Sequence, residues 1–188
     1  MDQDASIELQ ILNNAVGVLA QFLTDIGFEK CNDLTWQDPS DASYLNEDDR
    51  QNMDIMANAF AMSETNRLIY WIGKDEDGFI GLWIGPSNIK LVDAPIVELD
   101  LEGQYRIIAV RLADYLLSRS ISEDLDKNQE LLTQFGFNVT DSLDNSDQAL
   151  TEFREKFHLD SAMSPQFYRH QIYNDQRMQR GLEAIPFD

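Results

Sequence analysis

Two β-rich runs, Leu68-Ile69-Tyr70-Trp71-Ile72 and Phe79-Ile80-Gly81-Leu82-Trp83-Ile84, stand on either side of Asp75-Glu76-Asp77-Gly78. Branched and aromatic side chains favour extended backbone, and an acidic tetrapeptide ending in Gly favours a turn. The stretch therefore reads as a β-hairpin. Outward from it, Gly85-Pro86-Ser87-Asn88 punctuates again and a short run, Ile89–Val92, follows. Pro95-Ile96-Val97-Glu98-Leu99 reads as a strand and Glu102-Gly103 as a turn. Residues 105–109 read as a strand or as the lead-in to a helix over about 109–119. The expected fold class is α+β: an antiparallel or mixed sheet of about four strands in 67–109, flanked by helices from the N-terminal and C-terminal parts.

The flanks carry helical periodicity. Ile7, Ile11, Leu12, Ala15, Leu19, Phe22, Leu23 and Ile26 recur at helical spacing, which predicts one amphipathic helix over 6–26. Asp4 or Ser6 suits its start, and Gly27 suits a left-handed end with Phe28 as the accompanying apolar contact. A second helix fits 47–62: Asn46 caps it, and Glu47, Asp48 and Asp49 sit where the helix dipole favours anions. Leu131, Leu132 and Phe135, followed by Gly136, mark a short helix, and Leu150, Phe153 and Phe157 mark another. Residues 138–148, rich in Asp, Asn and Ser, read as loop. Residues 161–188 show no clean period and read as a docked tail or a flexible arm. The expected organisation is an α+β domain over 1–120 and a helical extension with a C-terminal tail over 121–188.

Charge limits the partners. Lys plus Arg number 14 and Asp plus Glu 34, a net charge of −20 over 188 residues. Such a chain repels nucleic-acid backbones and anionic membranes and attracts basic proteins. Neither nucleic acid nor membrane is an expected partner; a basic protein is. Residues 1–66 hold 2 basic and 13 acidic side chains, residues 67–121 hold 6 and 8, and residues 122–188 hold 6 and 13. The near-neutral middle reads as the folded heart, with the acid on its flanks. With one cysteine, Cys31, no internal disulfide or thiolate cage forms. The start, Met1-Asp2-Gln3-Asp4, lacks a basic leader, so a cytoplasmic location is expected.

Catalytic patterns are hard to assemble. His158 and His170 are the two histidines, both far along the chain from Cys31, and no local signature surrounds that thiol. Asp141, Asn145, Asp147 and Glu152 fall on calcium-loop positions, but Leu143 and Ser146 stand where a ligand and the sharp-turn Gly belong. Consecutive carboxylates in Asp75-Glu76-Asp77 are expected to point different ways rather than onto one ion. The glycines have no phosphate-cradle spacing. No catalytic residue, metal or cofactor is assigned. A partner-binding footprint is expected at Trp36, Asp38, Asp41, Tyr44, Glu47, Asp48 and Asp49, where carboxylates steer and aromatics anchor, with Asp75, Glu76 and Asp77 as a second acidic point.

Residues 68–118 also carry a resemblance. The order Ile72-Gly73-Lys74-Asp75-Glu76-Asp77-Gly78, Leu82-Trp83-Ile84, Ala94-Pro95-Ile96-Val97-Glu98-Leu99-Asp100-Leu101-Glu102-Gly103, then the helix from Ala109 to Leu117, is similar to the SMI1/KNR4-like, or SUKH, superfamily. The resemblance implies an α+β fold with a sheet flanked by helices. It also implies a non-enzymatic protein-binding role: an immunity protein that neutralises a cognate toxin, often a nuclease, or a regulatory adaptor. It transfers no functional residue. Residues 1–66 lack the family's Leu-Pro helix start and Gly-rich end, and 122–188 lies outside the common pattern. An enzyme whose site is built from distant carboxylates is the remaining alternative.

Overall fold

The computed structural model describes residues 7–32, 39, 43, 45–120, 124–140 and 142–187. Its centre is an antiparallel five-stranded meander: β1 (Glu29–Lys30), β2 (Ile69–Lys74), β3 (Gly78–Trp83), β4 (Ile96–Asp100) and β5 (Tyr105–Ala109), in that spatial order. The predicted hairpin is β2–β3, with Tyr70 opposite Leu82 and Lys74 opposite Phe79. Residues 105–109 take the strand alternative. The fifth strand lies outside 67–109: two charged residues pair Glu29 with Lys74 and Lys30 with Gly73. So short a strand has no period to detect. Gly73 permits it, because a Cβ there would stand 2.3 Å from the Glu29 carbonyl oxygen.

Helices cover both sheet faces. On one lie α1 (Ile7–Asn13), α2 (Val18–Asp25), α5 (Leu112–Ser118) and α6 (Leu125–Phe135). Leu12, Phe22, Leu116 and Leu132 from these helices pack on Ile72, Ile80, Leu82 and Ile96. On the other lie α4 (Met53–Asn66), α7 (Leu143–Phe157) and α8 (Pro165–Gln179), whose Met62, Phe153 and Tyr168 pack on Ile69, Trp83, Val97 and Ile107. Alternation within β4 explains the sandwich: Ile96 faces the first layer and Val97 the second. Each large apolar side chain buried this way contributes about 1.5–3 kcal/mol.

The single helix predicted over 6–26 is two helices. Gly17, at φ +58°, breaks it and opens α2, while the Asn14 side-chain amide donates to the Gln10 carbonyl at 2.8 Å and closes α1. Gly27 ends α2 in the left-handed region, and the Phe28 amide donates to Leu23 O at 2.8 Å, as Gly27-Phe28 predicts. The helix predicted over 47–62 is also divided. Asn46 caps α3 (Glu47–Gln51) in a reciprocal box with Asp49, and Asn52 then caps α4 through the amides of Asp54 and Ile55. Helix α7 begins at Leu143, capped by Ser142, so the Asx-rich stretch is largely its first turns. That also places Asn145, Asp147 and Glu152 on a helix, not in an ion-binding loop.

The segment 161–188 contains α8, which packs along α4. Its hold on α4 is partly polar, and such contacts leave no apolar period to read: Arg169 donates to Asn58 Oδ1, the Tyr173 hydroxyl donates to Asp54 Oδ1 at 2.8 Å, and Arg177 pairs with the same carboxylate. Side chains also satisfy the outer edge of β5. The Tyr105 amide donates to Gln166 Oε1 at 3.0 Å, and Arg154 Nε donates to the Ile107 carbonyl at 2.8 Å. Among the described residues, no helix is long and apolar enough to cross a membrane.

Candidate functional site

Trp36, Asp38, Asp41 and Tyr44 lie outside the described residues. Of that footprint, Glu47, Asp48 and Asp49 form the first turn of α3. Asp49 is engaged locally, its Oδ2 accepting the Asn46 amide at 3.2 Å. Glu47 and Asp48 are exposed and, among the described residues, make no ion pair.

The acidic turn between β2 and β3 is a built site. Asp75 Oδ1 accepts the amides of Asp77 at 2.9 Å and Gly78 at 3.2 Å, which shapes the turn. Its Oδ2 accepts the Tyr115 hydroxyl at 2.8 Å and lies 3.4 Å from Arg119 Nε. The same guanidinium donates to Asp77 Oδ2 at 2.6 Å and to Glu76 Oε1 at 3.3 Å. The consecutive carboxylates thus do converge on one cation, and that cation is Arg119. The expectation that they point apart fails because α5 ends beside the turn and brings the guanidinium within reach of all three. Exposure divides their roles. The Asp75 side chain is 1% exposed, whereas Glu76 is 85% and Asp77 55% exposed. Asp75 holds the turn; Glu76 and Asp77 are what solvent meets.

Glu98 completes the group from β4, opposite Ile80 on one side and Arg106 on the other. It is 8% exposed, and one of its carboxylate oxygens lies with those of Asp75 and Asp77 so that all three are within 4.8 Å of one another. Burial raises its pKa first, and the charges of Asp75 and Asp77 raise it further, against a smaller opposing effect of Arg106. Burial likewise pushes the Tyr115 phenol up, reinforced by Asp75. For Arg119, burial works against the charged form but is outweighed by the Asp77 hydrogen bond and the Asp75 charge, so its pKa rises. Three carboxylates suffice in number to help hold a hard divalent ion. Ligation here would have to displace Arg119 from two of them. The arrangement therefore acts as a clasp, with α5 pinning an acidic hairpin tip.

Sequence reasoning did not reach Glu98, Tyr115 and Arg119. A signal existed for Glu98, an acid inside the otherwise apolar Ile96–Leu99 run. Elsewhere, a cleft of about 770 Å³ is lined in part by Glu8, Asp93 and Arg111. Burial raises the Glu8 pKa although the Asn138 amide donates to it at 2.6 Å. The described lining of that cleft contains no Ser, Thr, Cys or His, so its ionisable groups are two carboxylates and one guanidinium.

Comparison with protein-family models, curated proteins and solved structures finds no match to this chain.

Proposed function

We propose that the protein is a non-enzymatic binding module for a basic protein, of the kind that blocks a cationic functional surface. One observation carries this above the others: surface carboxylates far outnumber the cations that could neutralise them. Glu47 and Asp48 on α3, Asp126 and Glu130 on α6, and Asp144, Asp147 and Glu155 on α7 have no ion-pair partner among the described residues. With a net charge of −20, their field extends beyond the surface and accelerates encounter with a cationic partner. Glu76 and Asp77, already oriented by Arg119, lose less conformational freedom on contact than free side chains would.

The resemblance of residues 68–118 to the SUKH superfamily supports the same role and narrows it to an immunity protein against a basic toxin such as a nuclease. Carboxylates would there take the places of substrate phosphates in a cationic channel. Capture on the immobilised protein, at about 0.1 M salt with elution at about 1 M, is the test, because the Debye length falls from roughly 10 Å to roughly 3 Å over that range. Recovery of a stoichiometric basic protein that inhibition assays show to be neutralised supports the role. Recovery of acidic or neutral proteins alone contradicts it.

A further inference from the structure

The cleft at the outer edge of β5 departs from the acidity of the chain. It has a volume of about 320 Å³ and lies between β5, α7 and the start of α8, with Phe187 from the C-terminal segment closing one side. That volume lies within the range of about 300–1,000 Å³ usual for small-molecule sites. Its walls are aromatic and apolar. Phe153 and Phe157 pack with centroids 4.9 Å apart and their planes tilted by 53°, and Met163 and Phe187 face the same space. Phe187 is held in place by its edge contacts with Phe167 at 5.2 Å and His170 at 5.1 Å.

The charges lining it are all of one sign. Arg106 and Arg154 line the cleft and no Asp or Glu does, in a chain with 34 acidic and 14 basic side chains. Arg106 is paired with Asp100 at 3.1 Å. Arg154 is not paired with any carboxylate among the described residues. Its Nε is fixed on the Ile107 carbonyl, which holds the side chain in one place, and its two Nη groups have no acceptor among those residues. Burial and the repulsion of Arg106 both lower the pKa of Arg154, with Glu98 opposing them weakly. A guanidinium anchored through Nε keeps a planar pair of donors for a carboxylate. Lys156, 4.8 Å from the ring centroid of the lining residue Phe157, is a further cation nearby.

We propose that this cleft binds a small amphiphilic carboxylate, its apolar body between Phe153, Phe157, Met163 and Phe187 and its anionic head on Arg154. The observations are independent of those behind the partner-binding role, so either can fail alone.

Titration of the full chain with sodium octanoate, followed by calorimetry and by NMR shifts of the cleft aromatic protons, tests it. Octanol is the uncharged control. Saturable binding of octanoate is expected, at least about tenfold tighter than octanol, which corresponds to about 1.4 kcal/mol. Arg154→Gln, with its fold checked by circular dichroism, is expected to lower octanoate affinity by at least about tenfold while leaving octanol unchanged. Absence of saturable octanoate binding overturns the proposal. So does equal binding of octanoate and octanol, or wild-type octanoate affinity in folded Arg154→Gln. If Arg154→Gln fails to fold, the octanoate–octanol comparison on the wild type decides.

Discussion

Tyr115, in α5, donates its hydroxyl hydrogen to Asp75 Oδ2 at 2.8 Å, across 40 residues of sequence. That bond joins the helix following the sheet to the tip of the β2–β3 hairpin. A hydrogen bond to a buried charged group is worth about 1.5–3 kcal/mol. Tyr115→Phe is therefore expected to lower unfolding stability in urea by about that amount. Asp75→Ala should cost more, because it also strands Arg119 Nε and the turn amides of Asp77 and Gly78. An Asp75→Ala loss smaller than that of Tyr115→Phe would show that the clasp is not what holds the turn.

Glu98 sets a pH dependence. Its folded pKa is raised, so the folded state keeps a proton that the unfolded chain has released. Stability contributed by this group is thus present at acid pH and lost as pH rises from the unfolded carboxylate pKa through the folded one. Glu98→Gln removes the loss. The variant should melt above the wild type at pH 7, with the difference closing toward pH 4. Thermal melts across that range check it, and a wild type more stable than Glu98→Gln at pH 7 contradicts it.

Trp83 is fully buried, and its Nε1 donates to the Ala162 carbonyl at 2.9 Å, so β3 fixes the loop that leads into α8. Trp83→Phe should cost about 1–2 kcal/mol, mostly the hydrogen bond, and Trp83→Ala about 3–5 kcal/mol through the cavity. Equal losses for the two, measured by urea unfolding, would mean that packing of the ring contributes nothing.

Asp54 receives both Tyr173 and Arg177 from α8. Asp54→Ala is expected to speed amide hydrogen exchange in α8 selectively, with β3 and β4 unchanged. Uniform acceleration across the sheet would show instead that α8 and the sheet open together.

The hairpin, the strand at 96–100 and the ends of α2 and α6 were legible because local chemistry decides them: β-formers, a turn and well-placed glycines. The positions of the helix breaks were not. Ala15 and Leu19 keep the apolar period on either side of Gly17 and both are buried, so the series reads on through the residue that turns the chain. Helix α8 gave no clear period because part of its hold on α4 is polar, Tyr173 and Arg177 both answering Asp54. The acidic turn was legible as a turn. Its clasp was not, because Arg119, Tyr115 and Glu98 reach it only through the antiparallel order of the sheet and the placement of α5.

The association rate of the captured basic partner, measured from about 0.1 M to about 1 M salt, tests the central claim most directly. The account predicts a fall of at least about tenfold with little change in dissociation rate, and a shallower salt dependence for the combined Glu47→Gln, Asp48→Asn and Glu76→Gln variant. An association rate independent of salt, or unchanged in that variant at low salt, would contradict it.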